Sequence, residues 1–454
     1  TPSDPERSAH RPGLTPSDSL RPRSICTTVA GIAILRVHAD PPTRQPSRDP
    51  MIRIHPFAAL RPSAENAAEV ACDPYDVIST QEARERAEGK PKSFLHVVRS
   101  EIDLPEETDC HAAEVYQNAS DNLQAMLADG TLSREPSPSL FLYRQIREGV
   151  AQTGVVACVE AEQYRTGEIR KHEKTRPDKE DDRTRHMLVT ASHAEPVFLC
   201  FRDEASGGMT IAERMAGDMA GEPLFDFVDP AGVQHTGWPV ATPAAYVSAF
   251  EGLGRLYIAD GHHRSAGAER AATASQKANA GHSGSEEYNR FLAVIFPHDQ
   301  LRILPYNRVV ADRNGLSAEA FLEKLREVGS LEPAAAGTPA SRGQVLVCVA
   351  GGWWLLTFPE ASIDRSDPIA SLDVALLQDR VLAPILGIGD PRTDTRIAFV
   401  GGVRGCGELE KRAGSDGVAF SMHATSADEL LAVADADEIM PPKSTWFEPK
   451  LRSG

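Results

Sequence analysis

The chain has 454 residues, 41% hydrophobic and 25% charged, a balance ordinary for a globular protein and long enough for two domains. Its formal net charge of −17 speaks against general nucleic-acid binding and against docking on an anionic membrane, so any anionic ligand must meet a local basic patch. No apolar stretch approaches the ~20 residues of a membrane span, and seven dispersed cysteines without a CxxC pair read as reduced thiols, with the cytoplasm as the expected compartment.

Residues 1–50 hold nine prolines, seven arginines and no lysine, with little periodicity. Such a stretch buries too little apolar surface to order itself, and it reads as a disordered leader or an over-extended start before Met51. From Met51 the pattern is mixed α/β. Helical periodicity is expected over 80–88, 111–129, 209–220, 264–279, 317–328, 369–383 and 425–434. Strands are expected over 140–145, 153–164, 196–201, 255–259, 291–296, 345–350, 353–358, 396–400 and 417–421. The Pro/Ala/Gly stretch 333–343 reads as a linker, giving a main α/β domain over 51–332 and a C-terminal α/β part over 344–454.

Two segments carry the chemistry. Tyr257-Ile258-Ala259-Asp260-Gly261-His262-His263-Arg264 reads as a strand end, a tight turn and the start of a small-residue helix. The first amides of a helix lack intrahelical partners and carry the positive end of its dipole, which suits a phosphate. Gly261 permits a positive φ or a close backbone approach, and Arg264 can grip two phosphate oxygens in a planar fork. A lone Asp-Gly is more often a plain turn. Four polar side chains packed between strand and helix shift the balance toward a site, because ionisable clusters are costly to hold without a use.

The second segment, residues 170–186, holds seven Lys or Arg against five carboxylates inside an acidic chain. Pro177 and Asp178 suit a helix start, which places His172, Glu173, Lys174 and Thr175 at another strand-to-helix junction. The bland alternative is a solvated helix laced with ion pairs; it accounts for Lys179 to Arg183 better than for His172 and Glu173. Adjacent histidines rarely share one ion and no HExxH spacing is present, so no zinc is expected; magnesium bridging Asp260, or Glu173, to a nucleotide phosphate is the natural metal. Tyr306-Asn307-Arg308 is a candidate substrate contact. Tyr75 and Asp76 read as turn residues that can face a ligand. Met440 to Lys450, with two aromatics, reads as a tail that docks, with the cleft as one destination. No Walker loop, GxGxxG or GxSxG is present.

Ile54-His55-Pro56-Phe57, Leu60-Arg61-Pro62, Pro74-Tyr75-Asp76-Val77-Ile78, His172-Glu173-Lys174-Thr175, Asp182-Arg183, the octapeptide at 257–264 and Pro441-Pro442-Lys443-Ser444-Thr445 together resemble a widespread prokaryotic family of unknown function, whose genes often lie near those of serine biosynthesis. The likeness runs from about Met51 to the end. Asp260-Gly261-His262-His263-Arg264 before a small-residue helix is also similar to the nucleotide-binding signature of the ParB/sulfiredoxin superfamily, which includes free serine kinases. That resemblance implies a ParB/sulfiredoxin-like core with the C-terminal α/β part added. It implies catalytic roles for Glu173, as base on an acceptor hydroxyl, and for Asp260 and His262. Phosphate contacts fall to Gly261, His263, Arg264, His172, Lys174, Thr175 and Arg183, and substrate contacts to Arg176, Tyr306, Asn307 and Arg308, with Asp260 as the magnesium ligand. The expected activity is phosphoryl transfer from a nucleotide or pyrophosphate-type donor to a small hydroxylated metabolite such as free serine. A non-catalytic nucleotide- or metabolite-binding regulator and a phosphatase acting on a phosphorylated metabolite are the alternatives. Nucleotide and small molecule are the expected partners, without nucleic acid or membrane; a homo-oligomer stays open.

Overall fold

Nine strands of mixed direction form the larger sheet of the computed structural model, which describes residues 51–204 and 208–454. The expected leader at 1–50 lies outside the described residues. The strands are β1 (Ile54–His55), β2 (Phe141–Arg147), β3 (Val150–Glu160), β4 (Ile169–Arg170), β5 (Val197–Phe201), β6 (Phe225–Val228), β7 (Gln234–Pro239), β8 (Leu256–Asp260) and β9 (Arg290–Pro297). Their order is β4-β8-β5-β9-β3-β2-β7-β6, with β1 also paired to β3. β5, Val-Phe-Leu-Cys-Phe, is buried at every position, as a strand covered on both faces must be.

The second sheet is antiparallel throughout. β10 (Tyr306–Val310), β11 (Ser330–Pro333), β12 (Gln344–Val349), β13 (Gly352–Thr357), β14 (Ile397–Gly401) and β15 (Val418–Met422) lie in the order β11-β13-β12-β15-β10-β14. Ala350 and Gly351, both at positive φ, turn β12 into β13, the backbone that matches the twist of a tight hairpin. Residues 334–343 connect β11 to β12 within this sheet, and the carbonyls of Gly337 and Pro339 accept from Ser421 Oγ and His423 Nδ1. One apolar core runs through both sheets, joining Phe198, Tyr257 and Phe296 to Val345, Val347 and Phe420.

Most expected elements fall within a few residues of the observed ones. The strand expected over 153–164 ends instead at Glu160; Ala161–Thr166 is helical and is stopped by Gly167 in the left-handed region. The hairpin of β6 and β7 was not expected, because its short strands are punctuated by polar residues. The helix expected over 369–383 is α-helical only over Asp373–Leu377 and loosens to a π-type turn over Gln378–Leu382.

Three helices matter for the site: α1 (Ala113–Ala128), α2 (Pro177–Thr190) and α3 (His262–Ala278). β4 and β8 pair in parallel, Ile169 opposite Leu256 and Arg170 opposite Tyr257, so the chain leaves both strands at the same edge. α2 and α3 then lie against each other. Gly267 permits this: a Cβ there would meet Arg183 Cβ at 2.9 Å and the Thr184 nitrogen at 3.2 Å. Two junctions 90 residues apart in sequence thereby become neighbours.

Candidate functional site

At the first junction Gly261 has φ +96°, a conformation that strains any residue with a Cβ, and it turns β8 directly into α3. The turn brings His262 under the second junction. The His172 amide donates to His262 Nε2 at 3.4 Å, and the two rings meet edge to face with centroids 4.4 Å apart. Glu173 places one carboxylate oxygen 3.9 Å from His262 Nδ1. The Arg176 amide donates to His263 Nε2 at 3.1 Å. Pro177 then opens α2, with Asp178 and Glu180 in its first turn.

Burial sets the charge states. It pushes the His172 imidazole down to about 4 and takes His262 well below its ordinary value, where the neighbouring His172 adds to the effect; both rings are neutral near pH 7. Burial alone would raise Asp260, but Lys450 and Arg264 outweigh it and hold this carboxyl at about 2. One Asp260 oxygen accepts from Arg264 Nη2 at 2.8 Å and the other from Lys450 Nζ at 3.1 Å. Desolvation raises Glu173 and Lys443 opposes it, yet its side chain is 57% exposed, so solvent screens much of the effect.

Of these groups, His172, Glu173, Asp260 and Lys450 line a cavity of about 290 Å³. Asp76 and Tyr306 line it with them, and so do Lys443 and Trp446 of the C-terminal tail. The tail is held firmly. The Met440 amide donates to the His172 carbonyl at 2.8 Å, Trp446–Phe447 pairs with Ile303–Leu304, and the Trp446 ring sits 5.4 Å from that of Tyr306. A second cavity, of about 210 Å³ and lined by Phe57, Phe141, Phe225 and Trp238, is mainly apolar, and its Arg452 is already paired with Asp73 and Asp229.

Other expected site residues lie elsewhere. Arg264 is buried beneath the turn, donating to Asp260 and to the Pro196 carbonyl. Arg183 is buried between Asp182 and Glu195 with its guanidinium 3.8 Å from the Tyr75 ring centre. Lys174 is exposed, the Thr175 hydroxyl donates to Glu180, and the Arg176 side chain pairs with Asp178 on the surface. Asn307 accepts from the Met422 amide at 3.0 Å. Arg308 braces the tail by donating to the Lys443 carbonyl at 3.1 Å, and burial lowers its guanidinium to about 10. Lys443, Trp446 and Lys450 were not among the expected site residues, although the tail that carries them was expected to dock, with the cleft as one destination.

As placed, Asp260 does not fit a magnesium ion, since both of its oxygens already face cations and an ion there would have to displace Lys450. Among the described residues no helix is long and apolar enough to cross a membrane.

No curated protein matches the chain. Solved structures similar to it include a C-terminally truncated SbnI from Staphylococcus aureus, at 12% identity over 66% of this chain and 85% of that one, with a TM-score of 0.33. A variant of free serine kinase in complex with AMP is similar at 14% identity over 64% and 87%, with a TM-score of 0.32. A conserved hypothetical protein from Pyrococcus furiosus is similar at 13% over 64% and 90%, with a TM-score of 0.29. At such scores the likeness extends to neither ligand nor activity. The family described as "Protein of unknown function (DUF1015)" matches residues 54–375, most of the chain, and the chain belongs to that family.

Proposed function

We propose that the protein transfers a phosphoryl group from a nucleotide or pyrophosphate-type donor to a small hydroxylated metabolite, with free serine as the first candidate. The observation that carries this reading is that Glu173 and Asp260, distant in sequence, line one cavity together with two lysines. The resemblance of Asp260-Gly261-His262-His263-Arg264 to the ParB/sulfiredoxin nucleotide signature supports it.

Phosphoryl transfer asks the protein mainly for positioning and for neutralisation of charge on the equatorial oxygens. The free amides at the start of α3 supply donors, and Lys443 and Lys450 supply positive charge from the tail. Glu173 accepts the proton of the acceptor hydroxyl as the new oxygen–phosphorus bond forms and the donor's bridging phosphorus–oxygen bond breaks. Its raised pKa suits a base, and its exposure leaves room for an acceptor at the cleft mouth.

The test is a screen of the purified protein with ATP, ADP, CTP and pyrophosphate against hydroxy-amino acids. Multiple-turnover phosphorylated product is expected with at least one donor. Glu173→Gln is expected to abolish that product while nucleotide affinity stays within about twofold. Absence of product with every donor, or full turnover in Glu173→Gln, overturns the proposal.

A further inference from the structure

We infer that His172, Glu173 and His262 bind a divalent transition-metal ion, zinc being the best match to their chemistry. Each of the three offers a donor atom within 4.8 Å of the other two. They arrive from both junctions, so no spacing along the chain announces the cluster.

None of the contacts among the three is a good hydrogen bond. His262 Nδ1 and Glu173 Oε2 stand 3.9 Å apart, and the His172 amide reaches His262 Nε2 only at 3.4 Å. Good N–H···O bonds fall at about 2.7–3.2 Å. His172 is 3% exposed, and its Nδ1 is buried with no hydrogen-bond partner among the described residues. The Ile258 backbone interacts with the imidazole and partly offsets the effect of burial, while Nδ1 itself stays without a well-formed hydrogen bond. A buried polar atom left unpaired costs about 1–3 kcal/mol, so such an atom calls for a partner. A cation is the partner that a bare imidazole lone pair suits.

Two imidazoles and one carboxylate form the donor set of borderline metals, whereas magnesium takes oxygen ligands. Zinc bonds of about 2.0–2.2 Å place tetrahedral ligands roughly 3.4 Å apart, so the three groups must close by about 1 Å. Glu173, more than half exposed, is free to make that movement. With three protein ligands a fourth position stays open toward the cavity, as in metal sites that meet a substrate.

The inference stands apart from the phosphotransfer reading, because uptake of the metal is measured without donor, acceptor or turnover. The full chain, stripped with a chelator and dialysed, is titrated with zinc by calorimetry and with cobalt by visible absorption. One equivalent is expected, with the intense visible bands of low-coordinate cobalt. His172→Ala and His262→Ala should each lower zinc affinity at least about 100-fold, and Glu173→Gln about tenfold. His282→Ala, on a surface pair with Glu286, should leave the titration unchanged. No stoichiometric uptake by the unaltered protein, or magnesium bound as tightly as zinc, overturns the inference, as does unchanged uptake in the histidine variants. Should a histidine variant fail to fold, the surface change Glu173→Gln decides, and unchanged zinc affinity there overturns the inference as well.

Discussion

The two strand-to-helix junctions share a geometry and differ in how they are held. At 260–264 the turn depends on a glycine in the left-handed region, and the first turn of α3 is pinned by buried groups, Arg264 at 2% exposure and His262 at 5%. At 172–178 a proline opens the helix, and the polar groups around it are paired nearer the solvent, Arg176 with Asp178 at the surface and Thr175 with Glu180 half-buried. The first junction fixes charge in place; the second presents a carboxylate that can move. The proposed phosphoryl transfer asks for both qualities, one reactant held still and another accepted, and the two segments differ in that way.

Substitutions that remove one quality at a time test this contrast. The largest effect is expected from Arg264→Ala, which strips Asp260 of a buried partner and leaves the Pro196 carbonyl without its donor. It should cost about 3 kcal/mol in chemical denaturation, whereas Arg176→Ala, at an exposed ion pair, should cost less than about 0.5 kcal/mol. Equal losses at the two sites would remove the contrast.

A comparable effect belongs to acid, and it shows that α2 is shallow only at its start. Further along, His186 is buried, its Nε2 3.0 Å from the Val97 carbonyl, and burial together with Arg183 pushes its imidazole from 6.5 to about 4. The unfolded chain therefore takes up this proton first as pH falls. The stability tied to neutral His186 is complete above about pH 6.5 and is withdrawn toward pH 4, by an amount on the order of 3 kcal/mol. Urea midpoints measured across that window should fall in the unaltered protein and fall less steeply in a folded His186→Gln variant.

A smaller effect is expected for Gly261→Ala. A Cβ there meets Arg264 Nε at 3.0 Å and the backbone must hold a φ of +96°, so about 1–2 kcal/mol should be lost in a thermal melt. An unchanged melting point would show that the turn relaxes freely.

Both junctions are legible in sequence because their signals are short-range: Asp260-Gly261 before a small-residue run, and Pro177-Asp178 after an alternating segment. Their meeting is not legible. It depends on the parallel pairing of β4 with β8 and on the close passage of Arg183 over Gly267, contacts between residues more than 80 apart. The tail is partly legible: its aromatics mark it as ordered, but nothing local assigns Lys450 to Asp260, 190 residues away. Arg183 and Arg308 show the converse. In sequence each looks like a free cation beside a motif; in the structure Arg183 is enclosed by Asp182 and Glu195, and Arg308 holds the tail backbone. Charge pattern reports that a basic group exists, not which partner claims it.

The core that Phe198 and Phe296 share with Val345 and Phe420 limits how the cleft can open. Two lobes joined by a flexible strap swing open like jaws and wet little apolar surface in doing so. Here the same swing would drag a continuous hydrocarbon seam into water, at roughly 25 cal/mol for every Å² exposed. Any widening of the cleft is thus left to side chains at its rim, the ammonium set against an aspartate and the indole set against a phenol, over a floor the shared core keeps in place.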